Sequence, residues 1–384
     1  MKSSLRIVSP YLQELAVATV LADAGARASA FKAHNLNRTP FFVKAFNKPK
    51  IIKGLLDENI RREKIELCRI FEKKQHALYM RASEAQEDCH ELARFFDFFN
   101  CEGVYYAVYE YVEQVGSDGL DREKQPTQVM VLADAASGLA RLHAFGILHG
   151  DVKPANIILY RGEDDREGRV GQPALRGKLI DYDGGCHLSD IPPVGARLLD
   201  FDEVYAAPEF QRFLAEDRSV KMDTSMDVFA FAMTAAHVLT GDMPMEAVKS
   251  LVDGAEPQAL LKLKGLPPAI AEIIVRGVAI DPAQRPKALD LASALSNWLG
   301  RRHVASKSRQ RTGVAWYDPL LAPRPRRTET QYAEKPVVTP RKTPTPTTTG
   351  PYSSLPGTRK RSARVPRLED MDGDPAPVRR LTDD

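Results

Sequence analysis

The hydrophobic pattern divides the chain into two halves of different character. In the first third, short aromatic or β-branched runs bounded by turn residues predict strands over 28–33, 40–46, 92–99 and 104–112. From Pro126 onward the pattern becomes helical. Between 128 and 145, Val129, Leu132, Ala136, Leu139 and Leu142 fall on one stripe at helical spacing, and 223–239 is apolar nearly all round, as a buried central helix should be. A small strand-rich lobe followed by a larger helical lobe is the expected outcome, in the α+β class. No internal repeat interrupts it.

Composition changes this picture only at the C-terminus. The chain has 384 residues, 43% hydrophobic and 27% charged, an ordinary globular balance that excludes collagen-like, coiled-coil and wholly disordered readings. Its net charge of +3 hides an asymmetry: residues 1–300 hold 36 Lys and Arg against 42 Asp and Glu, whereas 301–384 hold 18 against 9. The same last segment carries 12 of the 27 prolines and runs such as TPRKTPTPTTTGP, which bury too little apolar surface to offset ordering. It is expected to be a disordered basic tail. Its threonines Thr339, Thr343 and Thr345 precede prolines beside Arg341 and Lys342, which suits a regulatory or partner-docking role dispensable for catalysis. A nucleic-acid surface is the lesser reading, beside a plain solvated linker.

Cys68, Cys89, Cys101 and Cys186 lie far apart with no C-x-x-C spacing, arguing against a disulfide framework or a zinc site and for a reducing, cytoplasmic setting. The N-terminal 25 residues carry Lys, Arg and Glu within or beside their apolar run and make a poor signal peptide. The longest apolar stretch, 228–239, is 12 residues and contains His237, so no membrane span is expected.

Chemistry concentrates in His149-Gly150-Asp151-Val152-Lys153-Pro154-Ala155-Asn156, which follows a predicted helix and leads into an apolar strand. An Asp, a Lys two residues on and an Asn five residues on, held on one short loop, can orient a hydroxyl nucleophile, neutralise a transferring phosphoryl group and ligate a metal. Lys178-Leu179-Ile180-Asp181-Tyr182-Asp183-Gly184 then delivers a carboxylate from an apolar strand to where a magnesium ion would bridge phosphates.

On these residues the sequence resembles the protein kinase family, over roughly residues 10–300 by motif order. The resemblance implies a two-lobed kinase-like fold, with an N-lobe and hinge over 1–112 and a C-lobe over 113–300. It implies Asp151 as base, Lys153 at the γ-phosphate, and Asn156 and Asp181 on Mg²⁺. Ala207-Pro208-Glu209, Asp227 of the central helix and Arg285 of Asp281-Pro282-Ala283-Gln284-Arg285-Pro286 match further family motifs, the Arg pairing with Glu209. For ATP, the resemblance implies Lys44 on the α and β phosphates and Gly25 in the phosphate-covering loop. It also implies Tyr109 as gatekeeper, backbone groups of Glu110 and Val112 against adenine, and Ile158 in the same nucleotide site. The Glu expected to pair with Lys44 is open among Glu66, Glu72 and Glu84, with Glu72 preferred.

The sequence also departs from the family. Only Gly25 remains of three expected loop glycines, and Tyr182-Asp183 stands for Phe-Gly, keeping an aromatic ring but losing a hinge glycine. Gly150 replaces the Arg that pairs with a phosphorylated loop residue, and Asp202 occupies a position where the family carries Thr, from which it can pair with Lys153. His143 and His237 lie in apolar helical patterns and read as core or boundary residues. Three functions compete: an ATP- and Mg²⁺-dependent serine/threonine kinase acting on protein hydroxyls, a small-molecule phosphotransferase of the aminoglycoside or choline kinase type, and a nucleotide-binding pseudokinase scaffold. Lys153-Pro154, Ala207-Pro208-Glu209, Asp227 and Arg285 favour the first over the second; retention of Lys44, Asp151, Lys153, Asn156 and Asp181 favours it over the third.

Overall fold

The computed structural model describes residues 6–10, 12–22, 28–50, 57–116, 120–164 and 172–306. Gly25 and the tail beyond Ser306 lie outside these residues.

Aromatic and β-branched side chains build one antiparallel sheet from β1 (Arg6–Ser9), β2 (Gln13–Ala22), β3 (Ala28–His34), β4 (Pro40–Phe46), β5 (Phe95–Cys101) and β6 (Val104–Glu110), in the order β1-β2-β3-β4-β6-β5. Its register sets Lys44 opposite Ala107 and Phe42 opposite Tyr109. The predicted strands appear within a few residues of their expected bounds, except that Leu92 makes only an isolated bridge, to Leu179.

A long helix, α1 (Glu58–Ala85), covers one face of the sheet. Asp57 caps it by accepting the N–H groups of Asn59 and Ile60 at 2.8 and 3.1 Å. Cys68, Phe71, Lys74, Gln75, Leu78, Ala82 and Ala85 recur at helical spacing and form its buried face. Phe71 anchors that face, meeting Phe46 and Tyr105 edge-on with ring centres 5.1 Å away in each case.

The helical half contains α2 (Gln125–Ala144), α3 (Pro208–Leu214), α4 (Ser225–Thr240), α5 (Ala247–Val252), α6 (Pro257–Leu260), α7 (Pro268–Gly277) and α8 (Ala288–Ser306). As its all-apolar pattern requires, α4 is buried on every side from Met226 to Ala236. Two short ladders, β7 (Ile147–Leu148) with β10 (Cys186–His187) and β8 (Ile157–Asp164) with β9 (Gln172–Leu179), lie between α2 and α3 in sequence and carry the polar loops described next. Helix α8 continues through Ser306, so helical backbone extends past the boundary expected at residue 300. Among the described residues no helix is long and apolar enough to cross a membrane.

Candidate active site

The loop joining β7 to β8 is fixed by α4. Asp227, 1% exposed, accepts the backbone N–H of His149 on Oδ2 at 2.8 Å and that of Gly150 on Oδ1 at 2.9 Å; His143 Nε2 meets the same Oδ2 at 2.9 Å. Gly150 adopts φ +82° here, a conformation glycine reaches without steric cost. His149 Nε2 lies 2.9 Å from the Ile180 carbonyl, which can only accept. Nε2 therefore carries the proton, leaving Nδ1 to accept the Asp151 N–H at 3.3 Å.

That frame sets Asp151 in one orientation. Its Oδ2 pairs with Lys153 Nζ at 2.9 Å and accepts from Asn156 Nδ2 at 3.2 Å; the same Nδ2 donates to the Asp151 carbonyl at 2.7 Å. Oδ1 is buried and has no hydrogen-bond partner. A buried acceptor without a donor is costly to leave unmade, and here it is the atom that an incoming hydroxyl would satisfy. Burial disfavours the Lys153 ammonium, but its bond to Asp151 and the charges of Asp151, Asp202 and Asp181 outweigh that and raise its pKa.

Next to this loop, Ile180 N–H donates to the Asn156 carbonyl at 3.0 Å and so aligns Asp181 with Asn156. Asp181 sits in the left-handed region at φ +66°. Its carboxylate pairs with Lys44 Nζ, which also lies 2.9 Å from Asp183 Oδ1. Burial opposes the Lys44 charge, yet the two carboxylates prevail and push its pKa up. Burial likewise disfavours the Asp181 anion, but the Lys44 charge outweighs it and holds that carboxyl below its usual range, whereas burial keeps that of Asp183 raised. With Asn156 Nδ2 committed to Asp151, its Oδ1 and the Asp181 carboxylate form a two-oxygen set. Among the described residues no cluster of three His, Cys, Asp or Glu could hold a metal. Two oxygens suit Mg²⁺, which keeps waters and takes phosphate oxygens for the rest of its shell.

At the end of β6, Glu110 N–H donates to the Arg94 carbonyl at 2.8 Å, and its carboxylate accepts from buried Lys178 Nζ at 2.8 and 2.9 Å. Ile158, half-buried on β8, pairs across the ladder with Lys178. Tyr109 is buried and stacked on Phe95 at 4.5 Å; burial and then the Asp183 charge push its phenol well above the usual value.

The structure thus gathers Lys44, Asp151, Lys153, Asn156 and Asp181. It does not bring Glu72 to Lys44. The Glu72 carboxylate instead accepts from the Tyr105 hydroxyl at 2.9 Å, because residue 72 lies beside the buried face of α1, whose inward polar positions are Lys74 and Gln75. Glu66 and Glu84 pair with Arg69 and Arg81 on the same helix. Asp183 and the Lys178–Glu110 pair escaped sequence reasoning, which treated Asp183 only as a lost glycine.

Beyond the site, Asp202 Oδ2 lies 3.6 Å from Lys153 Nζ, as its position suggested. Glu209 at the start of α3 receives both prongs of Arg285, whose guanidinium also stacks on Phe229 at 4.9 Å.

The chain is also similar to known serine/threonine kinases. Over 193 residues the chain is 31% identical to the serine/threonine-protein kinase PkaB of Streptomyces coelicolor, covering 47% of this chain and 42% of that protein. It is 26% identical over 248 residues to the serine/threonine-protein kinase pkn3 of Myxococcus xanthus, covering 60% and 43%. Against PknF of Mycobacterium tuberculosis it is 26% identical over 219 residues, covering 52% and 42%. The chain therefore spans less than half the length of these relatives. The sequence model of the protein kinase domain matches residues 24–294, most of the chain, and on that match the chain belongs to the protein kinase domain family.

Proposed function

We propose that the chain is a serine/threonine protein kinase that moves the γ-phosphate of ATP, with Mg²⁺, to hydroxyls of a protein substrate. The observation that carries this reading is Asp151: one carboxylate oxygen held by Lys153 and Asn156, the other buried and unpartnered. When bound, Mg·ATP supplies the phosphoryl group and the ADP that departs as the γ-phosphorus–oxygen bond breaks. Asp151 Oδ1 accepts the proton of the attacking hydroxyl. Lys153 offsets negative charge at the transferring group, while Asn156 Oδ1 and the Asp181 carboxylate hold the cation.

Lys44 supplies a fixed positive charge for the α and β phosphates. Backbone groups of Glu110 and Val112 face the base, over the apolar side chain of Ile158. Gly25, assigned to the phosphate-covering loop, lies outside the described residues. In this reading 1–112 forms the N-lobe and hinge, 113–300 the C-lobe, and the remainder a basic tail. Four free thiols fit a reducing, cytoplasmic setting.

Protein rather than small-molecule substrates are favoured by the ordered segment from Asp202 to Glu209, tied down by Lys153 at one end and Arg285 at the other. A test offers radiolabelled ATP with a generic protein substrate, with amino sugars and with choline. Label on protein Ser or Thr is expected; label on an amino sugar or choline alone would overturn the proposal.

A further inference from the structure

The part the family resemblance gives to a helix carboxylate has no occupant on α1. The two polar side chains on its buried face, Lys74 and Gln75, bear no carboxylate, and Lys74 Nζ and Gln75 Nε2 donate to the same atom, the Asp183 carbonyl oxygen, at 2.7 and 3.0 Å. Glu66, Glu72 and Glu84 are engaged elsewhere. The carboxylate that does meet Lys44 from an enclosed position belongs to Asp183, whose side chain is 2% exposed and 2.9 Å from Nζ.

We propose that Asp183 is the positioning residue that anchors Lys44, so that the carboxylate is supplied by the segment after Asp181 rather than by α1; this rests on the kinase function proposed above. The segment is built to hold that carboxylate still. Tyr182, fully buried, donates its hydroxyl to the Ala93 carbonyl at 2.8 Å and accepts from Gln86, whose own oxygen accepts the Phe95 N–H at 2.8 Å. On the other side, Gly185 N–H closes onto the Tyr182 carbonyl at 3.1 Å, and a Cβ at Gly185 would stand 1.9 Å from the Leu148 carbonyl oxygen. Asp183 is thus fastened through its neighbours and through its own carbonyl to α1.

Charge apportions the two carboxylates. Asp181 is 34% exposed and borders Asn156, so it is the one available to a cation. Asp183 is sealed behind it and keeps Lys44 directed toward the phosphates when Asp181 is engaged. In kinases that use a helix Glu, movement of that helix switches the Lys on and off. Here the anchor and the metal carboxylate are two residues apart on one short turn, so Lys44 is held whenever that turn is formed.

The test uses the full chain and two readouts. First, Mg·ADP affinity by calorimetry and KM for ATP are compared for wild type, Asp183→Asn and Glu72→Gln. Asp183→Asn is expected to weaken ADP binding and raise KM about tenfold, one lost charged contact; Glu72→Gln should leave both unchanged. Second, urea unfolding of the nucleotide-free protein is measured for Lys44→Met, Asp183→Asn and the double variant. The two changes should be non-additive, since removing either ends the same pair. Wild-type ADP affinity in Asp183→Asn, weakened binding in Glu72→Gln, or strict additivity would each overturn the anchor. If Asp183→Asn does not fold, the Glu72→Gln arm still decides. Because binding and unfolding need no transfer, a wild type that binds ADP yet labels no protein would count against the kinase reading, whereas wild-type ADP affinity in Asp183→Asn would count against the anchor, so the two failures are distinguishable.

Discussion

Lys153 Nζ lies between two carboxylates, 2.9 Å from Asp151 and 3.6 Å from Asp202. Asp202 also accepts the N–H groups of Tyr205 and Ala206 on its carbonyl, at 3.1 and 2.9 Å, and that of Val204 on its carboxylate, at 3.1 Å. The Asp202 carboxylate therefore ties the loop to Lys153, at the position where the family carries Thr, with no phosphate involved. Gly150 offers no Arg to read such a phosphate, and exposed Ser189 is engaged with His187 Nδ1 at 2.7 Å.

Activity should accordingly not depend on phosphorylation of this segment. Phosphate-free protein and its Ser189→Ala variant should transfer phosphate without a lag at matching initial rates. Asp202→Asn, which keeps the shape but removes the charge, should slow transfer several-fold. A lag abolished by prior autophosphorylation would contradict this account.

The Arg285–Glu209 pair should be a strong point of the helical half. Its Nη1–Oε1 and Nη2–Oε2 distances are 2.5 and 3.0 Å, and the guanidinium is fully enclosed. Removing one partner strands a buried charge, so Glu209→Ala should cost about 3–5 kcal/mol in urea unfolding. Replacement of surface Glu58, which pairs with Arg61 at 3.6 Å with both side chains exposed, should cost under about 1 kcal/mol. Equal costs would show that the clamp is not structural.

Thiol reactivity follows from burial. Desolvation pushes the thiols of Cys89 and Cys186 up to about 12 and raises that of Cys68, while Cys101 alone is partly accessible. Alkylation at pH 8 should modify Cys101 first and the others only as the protein opens. The sign for stability is fixed too: protonated thiols favour the fold below the unfolded value of 9.0, and this contribution is lost as pH rises from 9.0 toward about 12. Rapid native-state labelling of Cys89 or Cys186 would contradict the burial.

How much of this was legible in the residues depends on range. The loop from His149 to Asn156 is contiguous, so its chemistry could be read directly, and Arg285, Asp227 and Asp202 carried position-specific types. Strand β2 could not be read: Leu15 is buried, but Val20 and Leu21 are 62% and 42% exposed, so no alternation of apolar and polar residues marks it. The partner of Lys44 was hidden for a different reason. Helical spacing identifies a buried face only once the facing side is known, and Glu72 falls beside Phe71, Lys74 and Gln75 rather than among them. Asp183, 139 residues from Lys44, meets it only in three dimensions.

Whether Asp151 is the base of a protein kinase is decided by the initial rate of γ-phosphate transfer to a protein substrate by wild type and by Asp151→Asn, with Mg·ADP affinity measured alongside. In the proposed role Asp151 accepts the hydroxyl proton and contacts Lys153 and Asn156 rather than a phosphate, so the variant, which keeps an acceptor oxygen for both, should lose about 10²–10⁴ in rate while binding ADP as wild type does. Asp181→Asn, in contrast, should lose both transfer and Mg·ADP affinity. Transfer by Asp151→Asn at the wild-type rate, or a wild type that binds Mg·ADP but labels no protein hydroxyl, would contradict the account.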